Sequence, residues 1–139
     1  MSQNPTAVEK HAAIFAQQTM FQQAVETLKA DASSVIYSII STDDGFPVAY
    51  TDLDEKNATG KAALAASLSG LGNTIAAESS LDFVKAVHVE CGSGFVFSRE
   101  VDLKEGKKVV LLVGSTNELN LATLLWHIKK MVDTITEKF

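Results

Sequence analysis

A chain of 139 residues that is 46% hydrophobic and 21% charged has room for one domain with one core, and it carries fewer charges than the ~25% of an ordinary globular chain. Its net charge of −5 lacks the basic face that a phosphate backbone requires, so nucleic acid is not an expected partner. The single cysteine, Cys91, rules out an intramolecular disulfide and a cysteine-based metal cluster.

The first residues are polar, and Pro5 precedes an amphipathic stretch rather than an apolar run. No secretory signal is read there, and the cytoplasm is the expected compartment. Thr6 to Ala30 reads as one amphipathic helix. Val8, Ala12, Phe15, Phe21, Val25 and Leu28 fall near one stripe, while Gln17, Gln18, Gln22 and Gln23 fill much of the rest. Val35 to Ile40 is β-branched and almost wholly apolar, a strand covered on both faces. Thr42-Asp43-Asp44-Gly45 carries the Asp-Gly hairpin signature. Phe46 to Tyr50 then alternates as a second strand.

The next segment is the most informative. From Ala62 to Ala77 sixteen residues pass without a charge, and two stripes run through the region at helical spacing. Leu64, Leu68, Leu71 and Ile75 form one; Ala58, Ala62, Ala65, Ser69, Gly72 and Ala76 form the other. At about 100° per residue the stripes lie side by side on one helix. The large stripe is expected to cover a sheet, and the small stripe to admit a second backbone. The alternative is an Ala-rich helix buried within a monomer, but so small a domain has little interior for a helix buried all round. A membrane span is not expected, since the run is shorter than ~20 residues and contains Ser, Asn and Thr.

Val84 to Glu90 alternates weakly, interrupted by Lys85, His88 and Glu90. Cys91 to Gly94 is a turn, Phe95 to Val101 a strand, Lys104 to Lys107 a turn, and Val109 to Val113 an unbroken apolar strand. Ser115 to Glu118 matches a capping box. Leu121, Leu125, Ile128, Val132, Ile135 and Phe139 then mark a last amphipathic helix. Short connections make neighbouring strands antiparallel. Pro47 cannot donate to a ladder and places the second strand at an edge. The first and fifth strands are the most apolar and belong at the centre. The order 2-1-5-4-3 satisfies these constraints, giving a five-stranded antiparallel sheet in an α-β-β-α-β-β-β-α chain, an α+β fold. The third strand is the other edge, a natural pairing surface.

This organisation resembles the roadblock / dynein light-chain family, whose fold is profilin-like. The resemblance rests on the hairpin from Ile39 to Ala49, the small-residue helix after it, and Val109 to Ser115 leading into Leu119-Asn120-Leu121. It covers Val35 to Phe139, so residues 1–139 form one roadblock-like domain with 1–33 as a helical extension. The resemblance implies homo- or heterodimers paired through the middle helices and third strands. It also implies a scaffold or regulator of small Ras-like GTPases, or an adaptor of dynein, with no catalytic motif. Ala58, Ala62, Ala65, Ser69, Gly72, Ala76, Val87 and Val89 are the expected dimer interface. A small-molecule sensory module is the second reading, since profilin-like sheets resemble those of sensor domains.

Few residues of the chain form a pattern that carries chemistry. Gly92-Ser93-Gly94 is read as a hairpin turn, for no G-x-x-x-x-G-K-[ST] is present. His11, His88 and His127 lie on different expected elements without metal-ligand spacing, and neither a metal nor another cofactor is expected. Asp43, Asp44, Asp52, Asp54 and Glu55 read as solvated turn residues. Ser93 and Ser98 have no paired histidine at an identifiable spacing. Trp126 is expected to pack in the core. The single arginine, Arg99, falls in a strand. A GTPase would therefore be activated by ordering its own residues rather than by an arginine finger.

Overall fold

The five side chains from Val109 to Val113 are all at most 2% exposed, which requires cover on both faces of their strand. The computed structural model, which describes residues 4–139, supplies that cover. The first three residues of the expected extension lie outside the described ones. Three helices open the chain: α1 (Pro5–Lys10), α2 (Ala12–Ala16) and α3 (Gln18–Asp31). The strands are β1 (Val35–Thr42), β2 (Pro47–Thr51), β3 (Val87–Cys91), β4 (Gly94–Asp102) and β5 (Lys108–Thr116). Helix α4 (Glu55–Glu78) joins β2 to β3, and α5 (Leu121–Lys138) follows β5. The sheet is antiparallel, in the expected order β2-β1-β5-β4-β3. Ile39 pairs with Leu112, and Phe97 with Val113.

The layers are unequal. One face of the sheet carries the larger core, where Phe21, Val25 and Leu28 of α3 and Leu124, Ile128 and Ile135 of α5 meet Ile40, Leu111 and Val113. The other face carries α4 alone, over Ile39, Val110 and Leu112.

Four elements differ from expectation. The first helix is three pieces, broken at His11 (φ −119°, ψ 42°) and Gln17 (φ −103°, ψ 17°). A single rod of such length would run straight for nearly 40 Å. The breaks instead let Ala7, Phe15 and Phe21 all reach the core. Polar contacts hold the bends: His11 Nε2 lies 2.8 Å from Asp44 Oδ1, and Gln18 Nε2 donates to the Val48 carbonyl at 2.8 Å. The second strand starts one residue late, at Pro47. The third begins at Val87 rather than Val84, after a stretch in which Ser80 (φ 55°) and Asp82 (φ 70°) turn the chain. Finally, Ser115 does not cap the last helix. Its hydroxyl donates to Ser34 at the foot of the sheet, and Asn120 caps instead, accepting from the Thr123 amide at 2.8 Å.

Edge strand β2 is sealed from outside. Gln22 Nε2 donates to the Tyr50 carbonyl at 2.9 Å, and the Tyr50 amide donates to Gln22 Oε1 at 3.2 Å. With the bond from Gln18, three backbone groups of the edge find side-chain partners on α3. Gln18 and Gln22, two of the glutamines on the polar side of the first helix, therefore have a structural task.

Candidate interaction surface

Helix α4 begins where the Asp54 carboxylate accepts from the Asn57 amide at 2.8 Å, a side-chain cap worth about 1 kcal/mol. Both stripes form as expected, but the small one lies on the sheet and the large one faces outward. Ala58, Ala62 and Ala65 are fully buried, and Ser69 and Gly72 are buried too, all within one chain. Leu64, Leu71 and Ile75 are each more than half exposed, and Leu68 is partly buried.

The reason is steric. The sheet already presents large side chains on this face, from Tyr37, Ile39, Val110 and Leu112. Small residues opposite large ones bring a helix close without overpacking. A Cβ on Gly72 would meet the Val87 side chain at 3.0 Å and that of Val84 at 3.2 Å. Ser69 donates to Glu100 Oε1, and Asn73 Nδ2 donates to the same oxygen at 3.0 Å. Partial burial works against the charged form of Glu100, but these bonds and the Lys108 ammonium hold its carboxyl below its usual range. Ala58, Ala62, Ala65, Ser69 and Gly72 are thus packed against their own sheet, whereas the expected interface has them facing a second chain. Ala76 is partly exposed at the end of the same stripe.

The sheet has a row of its own on this face. Across the strands Val89 pairs with Val96, Val96 with Gly114, and Gly114 with Tyr37. A Cβ at Gly114 would fall 2.4 Å from the Tyr37 ring, so glycine lets that ring lie flat along the row. Lys61 Nζ sits 5.1 Å from the centre of the ring. Burial pushes the Tyr37 phenol up, and the neighbouring Cys91 adds to it. Val89 is 39% exposed and Val87 partly so, on the unpaired edge strand. One helix over five strands leaves this side of the sheet incompletely covered.

The remaining candidates do not assemble into a reaction centre. The three histidines are spread over separate regions: His11 faces Asp44, His88 stands edge-on to Phe97, and His127 stands edge-on to Trp126. Trp126 is 60% exposed rather than in the core, with Lys130 Nζ 5.7 Å from its ring centre. Of the acidic residues near the first hairpin, Asp44 is not merely a solvated turn residue. Partial burial would raise its carboxyl, but hydrogen bonds from Lys10 and Thr42, together with His11, bring it down to about 2. His11, Asp43 and Asp44 place ligand atoms within 4.8 Å of one another, yet the Lys10 ammonium, 2.9 Å from Asp44 Oδ2, already fills the cationic role there. A groove of about 410 Å³ lies between α3 and α5, lined by apolar and charged side chains together. No helix among the described residues is long and apolar enough to cross a membrane.

The sequence profile of the roadblock/LC7 domain matches residues 21–115. Solved structures share the fold. A roadblock/LC7 domain from Streptomyces avermitilis is 23% identical with a TM-score of 0.74, covering 82% of this chain and 92% of its own. Myxococcus xanthus MglB is 20% identical with a TM-score of 0.77, covering 88% and 90%. MglB in a tetrameric arrangement is 12% identical with a TM-score of 0.72, covering 90% and 89%. The search of curated proteins found no match.

Proposed function

The chain belongs to the roadblock/LC7 family, and from that premise we propose that it is a non-enzymatic interaction module that pairs with a second copy and, as a pair, binds a small Ras-like GTPase. The observation that carries the reading is the exposed row of Leu64, Leu71 and Ile75 beside the unpaired edge of β3. An apolar stripe next to an open strand costs solubility in a monomer and finds its use in an assembly. Two chains joined edge to edge at β3 would place both α4 helices on the same side of a ten-stranded sheet. Each helix would fill the ground the other leaves bare. Burying each half-exposed leucine or isoleucine is worth about 1 kcal/mol, and the strand pairing adds backbone hydrogen bonds. An MglB relative with a tetrameric arrangement supports self-association in this fold.

The paired sheet would offer a rigid platform to the mobile segments of a GTPase. A preference for one nucleotide state must shift the conformational equilibrium of the GTPase by linkage. The test is light scattering at micromolar concentration, followed by titration of GTPases from the source cell in GTP and GDP forms. The native chain is expected to be a dimer with unequal affinities. Leu71→Asp buries an unpaired charge at the contact and is expected to weaken pairing by more than about a hundredfold and to lose the GTPase. A native chain that stays monomeric removes the assembly. Equal affinity for both nucleotide forms leaves a scaffold. No GTPase bound, with a small molecule co-purifying, favours the sensory reading.

A further inference from the structure

Strand β4 outruns its partner. The β3–β4 ladder ends at Val87 against Ser98, whereas β4 continues to Asp102, paired with β5. From Arg99 to Asp102 it therefore has a neighbouring strand on one side only. Beside this open stretch lies a groove of about 730 Å³. Its apolar part is made by Phe83, Val84, Ala86, Phe97, Leu125 and Ile128. Phe83 is 71% exposed, a large ring held at the rim with no core of its own.

The charge of the groove is opposite to that of the chain. The protein has 12 cationic and 17 acidic side chains. The groove is lined by four of those cations, Lys85, Arg99, Lys108 and Lys129, and by two acids, Glu100 and Asp102. Lys108 faces Glu100 at 3.5 Å, and Lys129 pairs with Asp133 at 2.9 Å. Among the described residues, Lys85 and Arg99 form no salt bridge. Arg99, the single arginine, donates from Nε to the Glu100 carbonyl at 3.3 Å. A guanidinium has five N–H donors, so most of its capacity is unspent.

We propose that this groove docks an extended, acidic peptide segment of a partner protein, added as a short strand beside residues 99–102 of β4. Backbone pairing to an open edge supplies affinity, and alternate side chains supply selectivity. Apolar residues of the segment lie against Phe83 and Leu125, while its carboxylates meet Lys85 and Arg99. The negative remainder of the surface repels such a peptide elsewhere and leaves this groove as the complementary site. Four residues of strand span about 13 Å, so about four residues of the segment pair with the strand and a heptapeptide overhangs the stretch. The site lies within one chain and does not depend on self-association or on a GTPase.

The experiment uses the whole chain and a fluorescein-labelled heptapeptide alternating valine with glutamate, with a valine–lysine peptide as control. Fluorescence anisotropy is expected to saturate for the acidic peptide alone and to weaken with salt. Arg99→Glu and Lys85→Glu, each checked for folding by circular dichroism, are expected to weaken binding by at least about tenfold. Lys85 is exposed, so its variant remains informative if Arg99→Glu fails to fold. Hydrogen exchange is expected to slow at residues 99–102 when peptide is bound. Leu71→Asp is expected to bind the peptide as the native chain does, which separates this site from the dimer reading. Equal binding of the basic peptide, indifference to both charge reversals, or protection confined to residues 87–91 overturns the proposal.

Discussion

Ala65 and Leu71 sit on the same helix and have opposite sensitivities. Ala65 is fully buried against the sheet, and Leu71 is 58% exposed. Ala65→Leu is expected to destabilise the fold by about 1–3 kcal/mol, because added methylenes in a filled contact force strain. Leu71→Ala is expected to change the stability of the single chain by no more than about 0.5 kcal/mol. Urea unfolding at concentrations low enough to keep the chain monomeric checks both. Asp44 gives a second prediction at this scale. Its carboxyl is held at about 2, below the ordinary 3.8, by Lys10, Thr42 and His11. A depressed carboxyl stabilises the fold above its unfolded value, and that contribution fades as pH falls through about 2. Acid unfolding followed by circular dichroism is expected to show a shallower pH dependence between 4 and 2 for Asp44→Asn than for the native chain.

Gln22 shows what a helix side chain can do for a neighbouring strand. Its amide both donates to and accepts from Tyr50. Gln22→Ala is expected to speed hydrogen exchange at the Tyr50 amide and to cost about 0.5–1.5 kcal/mol. Restoration of slow exchange by Gln22→Asn would argue against the geometry, since the shorter side chain does not reach. This role was not legible in the sequence. Gln18 and Gln22 meet β2 across about thirty positions, and polarity on a helix reads as solvent exposure until the fold is known. The strand order was legible, because Pro47 and the short connections constrain pairing locally. The two stripes of α4 were legible as well, but not which one turned inward. Helical spacing separates faces without naming their neighbours. The deciding signal was on the sheet, in the bulk of Tyr37, Ile39, Val110 and Leu112. Trp126 misled for a related reason: a large ring next to an apolar stripe reads as core, yet here it lies outside the packed face. The open end of β4 depends on where β3 begins, and weak alternation from Val84 onward gave no sign that pairing starts at Val87.

At the scale of the molecule, two helical layers of unequal extent enclose one sheet. Self-association through the thinner side has a kinetic signature besides its mass. If β3 strands pair, amides in residues 87–91 are expected to exchange slowly at micromolar concentration and faster on dilution, while those of β5, walled by strands and helices, do not respond. Exchange from residues 87–91 that is fast at every concentration would place the contact on the helices alone.

The seal on β2 bears on what such pairing can build. A sheet open at both sides has two valences and polymerises, each addition presenting a fresh end to the next. Here the glutamines of α3 and Pro47 remove one valence. A second copy joining at β3 uses the other, and the product then ends on both sides in a β2 strand that accepts no strand in turn. Strand pairing between copies of this chain would be self-terminating, and any larger assembly would have to grow through the helices.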